Sequence, residues 1–98
     1  MFNTIQEIER ANENRGHHFF KPAAKRFFRS RIGETVYGGR YFVTSEQFDY
    51  SSPRLYTVRM ANDDGSIETI GEFQAYRTSS QARAAIRATL RELEPTNG

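Results

Sequence analysis

The chain has 98 residues, a net charge of +2, no cysteine, 37% hydrophobic and 13% aromatic content. That length suits one domain with a modest ring-rich core, and the missing cysteines exclude disulfides, thiolate catalysis and zinc–thiolate sites. No apolar run approaches the ~20 residues that cross a bilayer, and MFNTIQEIER lacks the basic and apolar regions of a signal peptide, so a soluble cytoplasmic protein without membrane contact is expected.

Residues 4–15 read as an amphipathic helix. Thr4 and Glu7 have capping-box spacing, Ile5, Ile8 and Ala11 or Asn12 share a face, and Gly16 supplies a C-cap. A second, short helix is predicted from Pro22 through AAKRFF to about Arg29, with Gly33 closing the unit. Three strands follow. The first is Arg40–Glu46, extendable back to Thr35–Tyr37 across Gly38-Gly39. The second is Arg54–Ala61, with Tyr56, Val58 and Met60 on one face and Leu55, Thr57 and Arg59 on the other. The third is Ser66–Ala75. Asn62-Asp63-Asp64-Gly65 is a hairpin turn, and Phe48–Pro53 an exposed loop. Thr78 and Gln81 open the last helix, whose apolar stripe is Ala82, Ala85, Ile86, Thr89, Leu90 and Leu93; Pro95 stops it and residues 95–98 fray. The expectation is a single α+β domain over residues 1–98: two N-terminal helices, a three-stranded antiparallel meander, and an amphipathic C-terminal helix packed on the sheet.

Charge is distributed unevenly along this framework. Residues 15–31, RGHHFFKPAAKRFFRSR, hold six Lys/Arg, two His, four Phe and no acid, so the rest of the chain is net acidic by four. Lys21, Lys25, Arg26, Arg29 and Arg31 therefore form the main binding candidate, with Arg40 beside them. A helical Lys25 and Arg29 would share a face, and their mutual repulsion is one a partner could relieve. Binding use and ordinary solvation stand near parity for this run. Arg83, Arg87 and Arg91 repeat every four residues and make a secondary basic stripe, which extends the first only if the two lie side by side. Of the phenylalanines, Phe20, Phe27 and one other are expected to anchor the segment to the sheet, leaving one or two rings to stack or fill a pocket.

His17-His18 has no acid or thiol at ligand spacing, so no metal and no other cofactor is expected. Asp63-Asp64 is explained by the hairpin turn. No phosphate loop, G-x-S-x-G elbow or H-E-x-x-H motif is present. An enzyme would need His17 or His18 with a remote carboxylate such as Glu34, and ranks last.

The run HHFFKPAAKRFFRSRIGETVYGGRYFVTSE, followed by PRLYTVRMANDDGSIETIGEFQAY, resembles short, largely uncharacterised accessory proteins of bacteriophages and prophages over Ile5 to about Ala85. The resemblance implies a mobile-element origin, brings no catalytic residues, and implies inhibition of a host defence system, of the anti-CRISPR or anti-restriction kind. The expected function is thus a non-enzymatic inhibitor whose basic face docks on a host nucleoprotein or nuclease. The alternative is a direct nucleic-acid binder that meets phosphates through Lys/Arg 21–31.

Overall fold

Thr4 begins the first helix as its spacing predicts. Its hydroxyl accepts from the Glu7 N–H at 3.2 Å, satisfying one of the four amides a helix start leaves unpaired, and the Glu7 carboxylate accepts from the N–H of Asn3, just before the cap, at 3.0 Å. The structure, a computed structural model that describes residues 1–93, places helix α1 at Ile5–Asn14 and ends it before Gly16, at φ +78°. Its buried face is Ile5, Ile8 and Asn12. The Asn12 amide donates to the Gly65 carbonyl at 2.8 Å, so the hairpin tip is fastened to the helix. Gly65 sits at φ +85°, and a Cβ there would lie 2.5 Å from the Ala11 carbonyl carbon. Only glycine permits both that turn and that approach.

Helix α2 is Pro22–Phe27, β1 is Arg31–Ile32, β2 is Tyr41–Glu46, β3 is Leu55–Ala61, β4 is Ile67–Ile70, and α3 is Ser79–Leu93. The strands form one antiparallel sheet in the order β1-β2-β3-β4. Strand alternation gives the sheet two differently covered faces. On one, Phe42 and Ala61 pack with Ile5, Ile8 and Phe20, joined by Phe2, Phe19, Ile32, Val36 and Ile67. On the other, Tyr41 and Val58 pack with Ala82 and Ile86 of α3, joined by Val43, Tyr56, Met60, Ile70 and others. The α3 start repeats the device of α1: Thr78 Oγ1 accepts from the Gln81 N–H at 3.1 Å, and Gln81 Oε1 accepts from the Arg77 N–H at 3.0 Å.

The α+β class and the meander agree with the sequence; four details do not. The sheet has four strands, because β1 is two residues long, too short to show alternation. Helix α2 stops at Phe27, and Arg29 adopts φ +49°, so Lys25 and Arg29 do not lie on one helical face. The last strand ends at Ile70 rather than Ala75: Gly71 (φ +76°) and Gln74 (φ +58°) take the chain out of the strand before Tyr76 rejoins the sheet opposite Tyr56. Finally, Leu93 is 65% exposed, outside the stripe assigned to it. Pro95 and the tail lie outside the described residues. Among those described, no helix is long and apolar enough to cross a membrane.

Candidate functional site

The basic run is divided among different surroundings. Lys25, Arg26 and Arg29 line one shallow recess with Pro22, Ser30 and Tyr50. Lys21, exposed, lies immediately before α2. Arg31 is carried round onto the edge strand β1 and lines a different cavity, together with Arg83. Arg40 belongs with neither, because it pairs with Asp63 of the β3–β4 hairpin at 3.6 Å. Arg87 and Arg91 are exposed on α3. The two basic sets therefore meet only through Arg31 and Arg83. Among the described residues, Lys21, Lys25, Arg26, Arg29, Arg31 and Arg83 have no carboxylate within 4.0 Å.

The end of the molecule that holds Lys25, Arg26 and Arg29 is also rich in uncovered rings. Phe27 is 75% exposed and Tyr50 86%, which reverses the anchoring role expected for Phe27. The six-residue α2 buries none of its side chains, so Phe27 is free of the sheet while Phe28, half-buried, packs edge-on to it at 4.6 Å and against Phe73 at 5.4 Å. Phe20 is the anchor the sequence predicted: it is 3% exposed and stacks with Phe42.

Several contacts hold this end in shape. Arg54 donates to the Arg29 carbonyl and to Ser45 Oγ, each at 3.0 Å, which braces the left-handed turn after α2. The Arg29 guanidinium lies 3.9 Å from the centre of the Tyr50 ring, a cation–π contact. The β2–β3 loop is ordered by Asp49 Oδ1, which accepts from the N–H and hydroxyl of both Ser51 and Ser52 at 2.8–2.9 Å. These bonds, led by the Ser51 hydroxyl, hold the Asp49 carboxyl below the ordinary carboxylate range. A depressed acid contributes order that is complete above its unfolded-chain pKa and is lost as pH falls through its folded one. Tyr50 is accordingly expected to leave its place over Arg29 only below about pH 4. Tyr50 ring shifts followed by NMR would show this, and shifts unchanged to about pH 2 would refute it.

Beneath α2 lies a feature the motif reading passed over. Glu46, 1% exposed, points from β2 to the α1 side of the sheet. Its carboxylate accepts from the Thr44 hydroxyl, from Thr57 Oγ1 at 2.7 Å and from Arg59 Nη2 at 3.3 Å. Arg59 also donates to Thr44 at 3.0 Å and Thr69 at 2.6 Å, and sits between the rings of Phe19 and Phe73 at 5.3 and 5.5 Å. Thr57 accepts in turn from the Gln74 N–H at 2.9 Å, which holds the turn before Tyr76 against this face. The sequence carried one usable sign: Arg59 and Glu46 occupy the same face of neighbouring strands as Phe42 and Ala61, where charges must be paired. Lys25, Phe28 and Ser30 help to roof this cluster.

His17 and His18 do not converge on a site. His17 contributes weakly to holding Asp64 below the ordinary carboxylate range, behind the Ser66 hydroxyl and N–H that bond Asp64 directly. Among the described residues no group of three or more His, Cys, Asp or Glu is arranged to hold a metal.

Comparison with known proteins finds the profile of one family, described as a family of unknown function (DUF7447), matching residues 4–87. No curated protein and no solved structure matches the chain.

Proposed function

We propose that this chain, which belongs to the DUF7447 family of unknown function, is a non-enzymatic binding protein that inhibits a host defence nucleoprotein or nuclease. It docks through the end formed by α2 and the β2–β3 loop. The observation that carries this reading is the coincidence of Lys25, Arg26 and Arg29, free of carboxylates among the described residues, with exposed Phe27 and Tyr50. Exposed rings beside arginines are the composition of interface anchors, and a charge field of one sign favours encounter with an acidic partner surface. The resemblance to bacteriophage and prophage accessory proteins over Ile5 to about Ala85 is what suggests a defence complex as the partner. The brace from Arg54 and the Asp49-ordered loop mean that the surface is pre-shaped, which reduces the entropy lost on binding.

The second reading, direct nucleic-acid binding, is favoured by the Tyr50 ring itself. A ring with a cation on one face and broad exposure elsewhere is a stacking platform of the kind single strands use. Charge reversal at Lys25, Arg26 and Arg29 together separates the readings. In affinity capture from a nuclease-treated bacterial lysate, the native protein is expected to retain a defined nuclease or nucleoprotein that the triple variant releases. Retention of nucleic acid alone, before digestion, or equal retention by the variant would overturn the inhibitor reading. Phe27→Ala serves as the companion test. At 75% exposure it should shift stability by no more than about 0.5 kcal/mol, yet weaken partner binding by about fivefold or more if the ring is an interface anchor.

A further inference from the structure

On the opposite face of the sheet, between the edge strand β1 and the first turns of α3, a cavity of about 190 Å³ is lined by Arg31, Arg83, Tyr37, Tyr56, Ser45 and Glu34 among others. We propose that this cavity binds a phosphoryl group, as inorganic phosphate or as the head of a small phosphate monoester.

Arg31 and Arg83 come from elements distant in sequence, and neither has a carboxylate within 4.0 Å among the described residues, although Glu34 borders the same space. Two unneutralised guanidinium groups sharing one concavity repel each other, and an anion between them removes that cost. Arginine also presents a planar fork of donors that matches phosphate oxygens two at a time.

The remaining lining fits the same ligand. Ser45 is 7% exposed and its oxygen accepts from Arg54 at 3.0 Å, while its own proton has no acceptor among the described residues. Tyr37 and Tyr56 also border the space, and each carries a hydroxyl able to donate. Ser79 begins α3, a 15-residue helix, at the rim, and the positive end of its dipole reinforces an anion there. Size then selects within the class. Sites for drug-sized ligands occupy about 300–1,000 Å³, so this cavity suits a single tetrahedral head, with any organic remainder outside its mouth.

The site is separate from the aromatic end, and the test keeps the two apart. Titration calorimetry and phosphorus NMR on the full chain would use inorganic phosphate and a nucleoside 5′-monophosphate as probes, at ionic strength matched with chloride. Saturable binding of at least one probe is expected. Arg83→Gln should weaken it roughly tenfold, Arg31→Gln at least severalfold, and Arg87→Gln, one turn further along the solvent face of α3, not at all. Tighter binding of the monoester identifies an organic phosphate as the natural source; equal binding identifies the free ion. No saturable binding of either probe, or affinities unchanged in the Arg31→Gln/Arg83→Gln double variant, would overturn the proposal. Charge reversal at Lys25, Arg26 and Arg29 should leave phosphate binding intact, so failure at one surface does not imply failure at the other.

Discussion

Replacing Arg59 by alanine is expected to lower the free energy of unfolding by about 3–5 kcal/mol, the cost of leaving a buried charge without its partner. Glu46 is 1% exposed and the Arg59 side chain 13%, so water can replace the lost guanidinium only poorly. Thr44 and Thr57 would still donate to the carboxylate, which places the effect towards the lower end of that range. The variant also removes the cation between Phe19 and Phe73. The double variant Arg59→Met/Glu46→Leu should recover most of the loss, since a buried pair replaced by apolar groups of similar volume is often neutral. Urea unfolding of the three proteins decides the point. A loss under about 1 kcal/mol for Arg59→Ala would mean that solvent reaches the pair, and a double variant as unstable as the single would mean that the threonines cannot tolerate an apolar neighbour.

Phe42→Ala is expected to cost about 3–5 kcal/mol, as for a fully buried ring in a core that cannot collapse around the gap. Phe42 is 0% exposed, stacks with Phe20 and meets Phe19 edge-on, each at 6.2 Å. In a domain whose whole stability is of order 5–15 kcal/mol, that loss should leave the protein partly unfolded on mild heating. Its distribution is the informative part. Phe19 and Phe20 hold the segment between α1 and α2, and α2 has no buried residue of its own. Hydrogen exchange should therefore rise first in residues 17–30, ahead of the face covered by α3. Uniform acceleration across both faces would show that the two core clusters unfold as one unit. Coupling of this kind makes the aromatic end dependent on a ring it never touches: loosening Phe20 also loosens Lys25 and Arg26.

Much of the framework was legible because local rules acted alone. Thr4–Glu7 and Thr78–Gln81 cap helices through contacts three or four residues apart, and Asp64-Gly65 turns a hairpin with its own side chain and backbone. The second predicted strand alternates clearly enough to set Tyr56, Val58 and Met60 on one face and Leu55, Thr57 and Arg59 on the other. What local rules could not reach was β1, whose two residues pair only because β2 lies beside them, and the shortening of β4, which follows from Gln74 bonding to Thr57 and Glu46. The Phe27-Phe28 pair misled for the same reason. Both rings have similar apolar area, and only the place where α2 meets the sheet selects Phe28 for contact with Phe73 and leaves Phe27 in solvent.

The sequence alone determined the α+β class and the concentration of positive charge between Arg15 and Arg31, since composition and short-range spacing suffice for both. Tertiary structure decided how that charge is used. A left-handed Arg29 and the turn into β1 send Lys25, Arg26 and Arg29 to an aromatic end while Arg31 crosses to a cavity shared with Arg83; Arg40 pairs with Asp63 at the surface, and Arg59 is buried against Glu46. Cations that look alike along the chain differ in role because the strength of a charge depends on its distance from other charges and from water, and folding sets both.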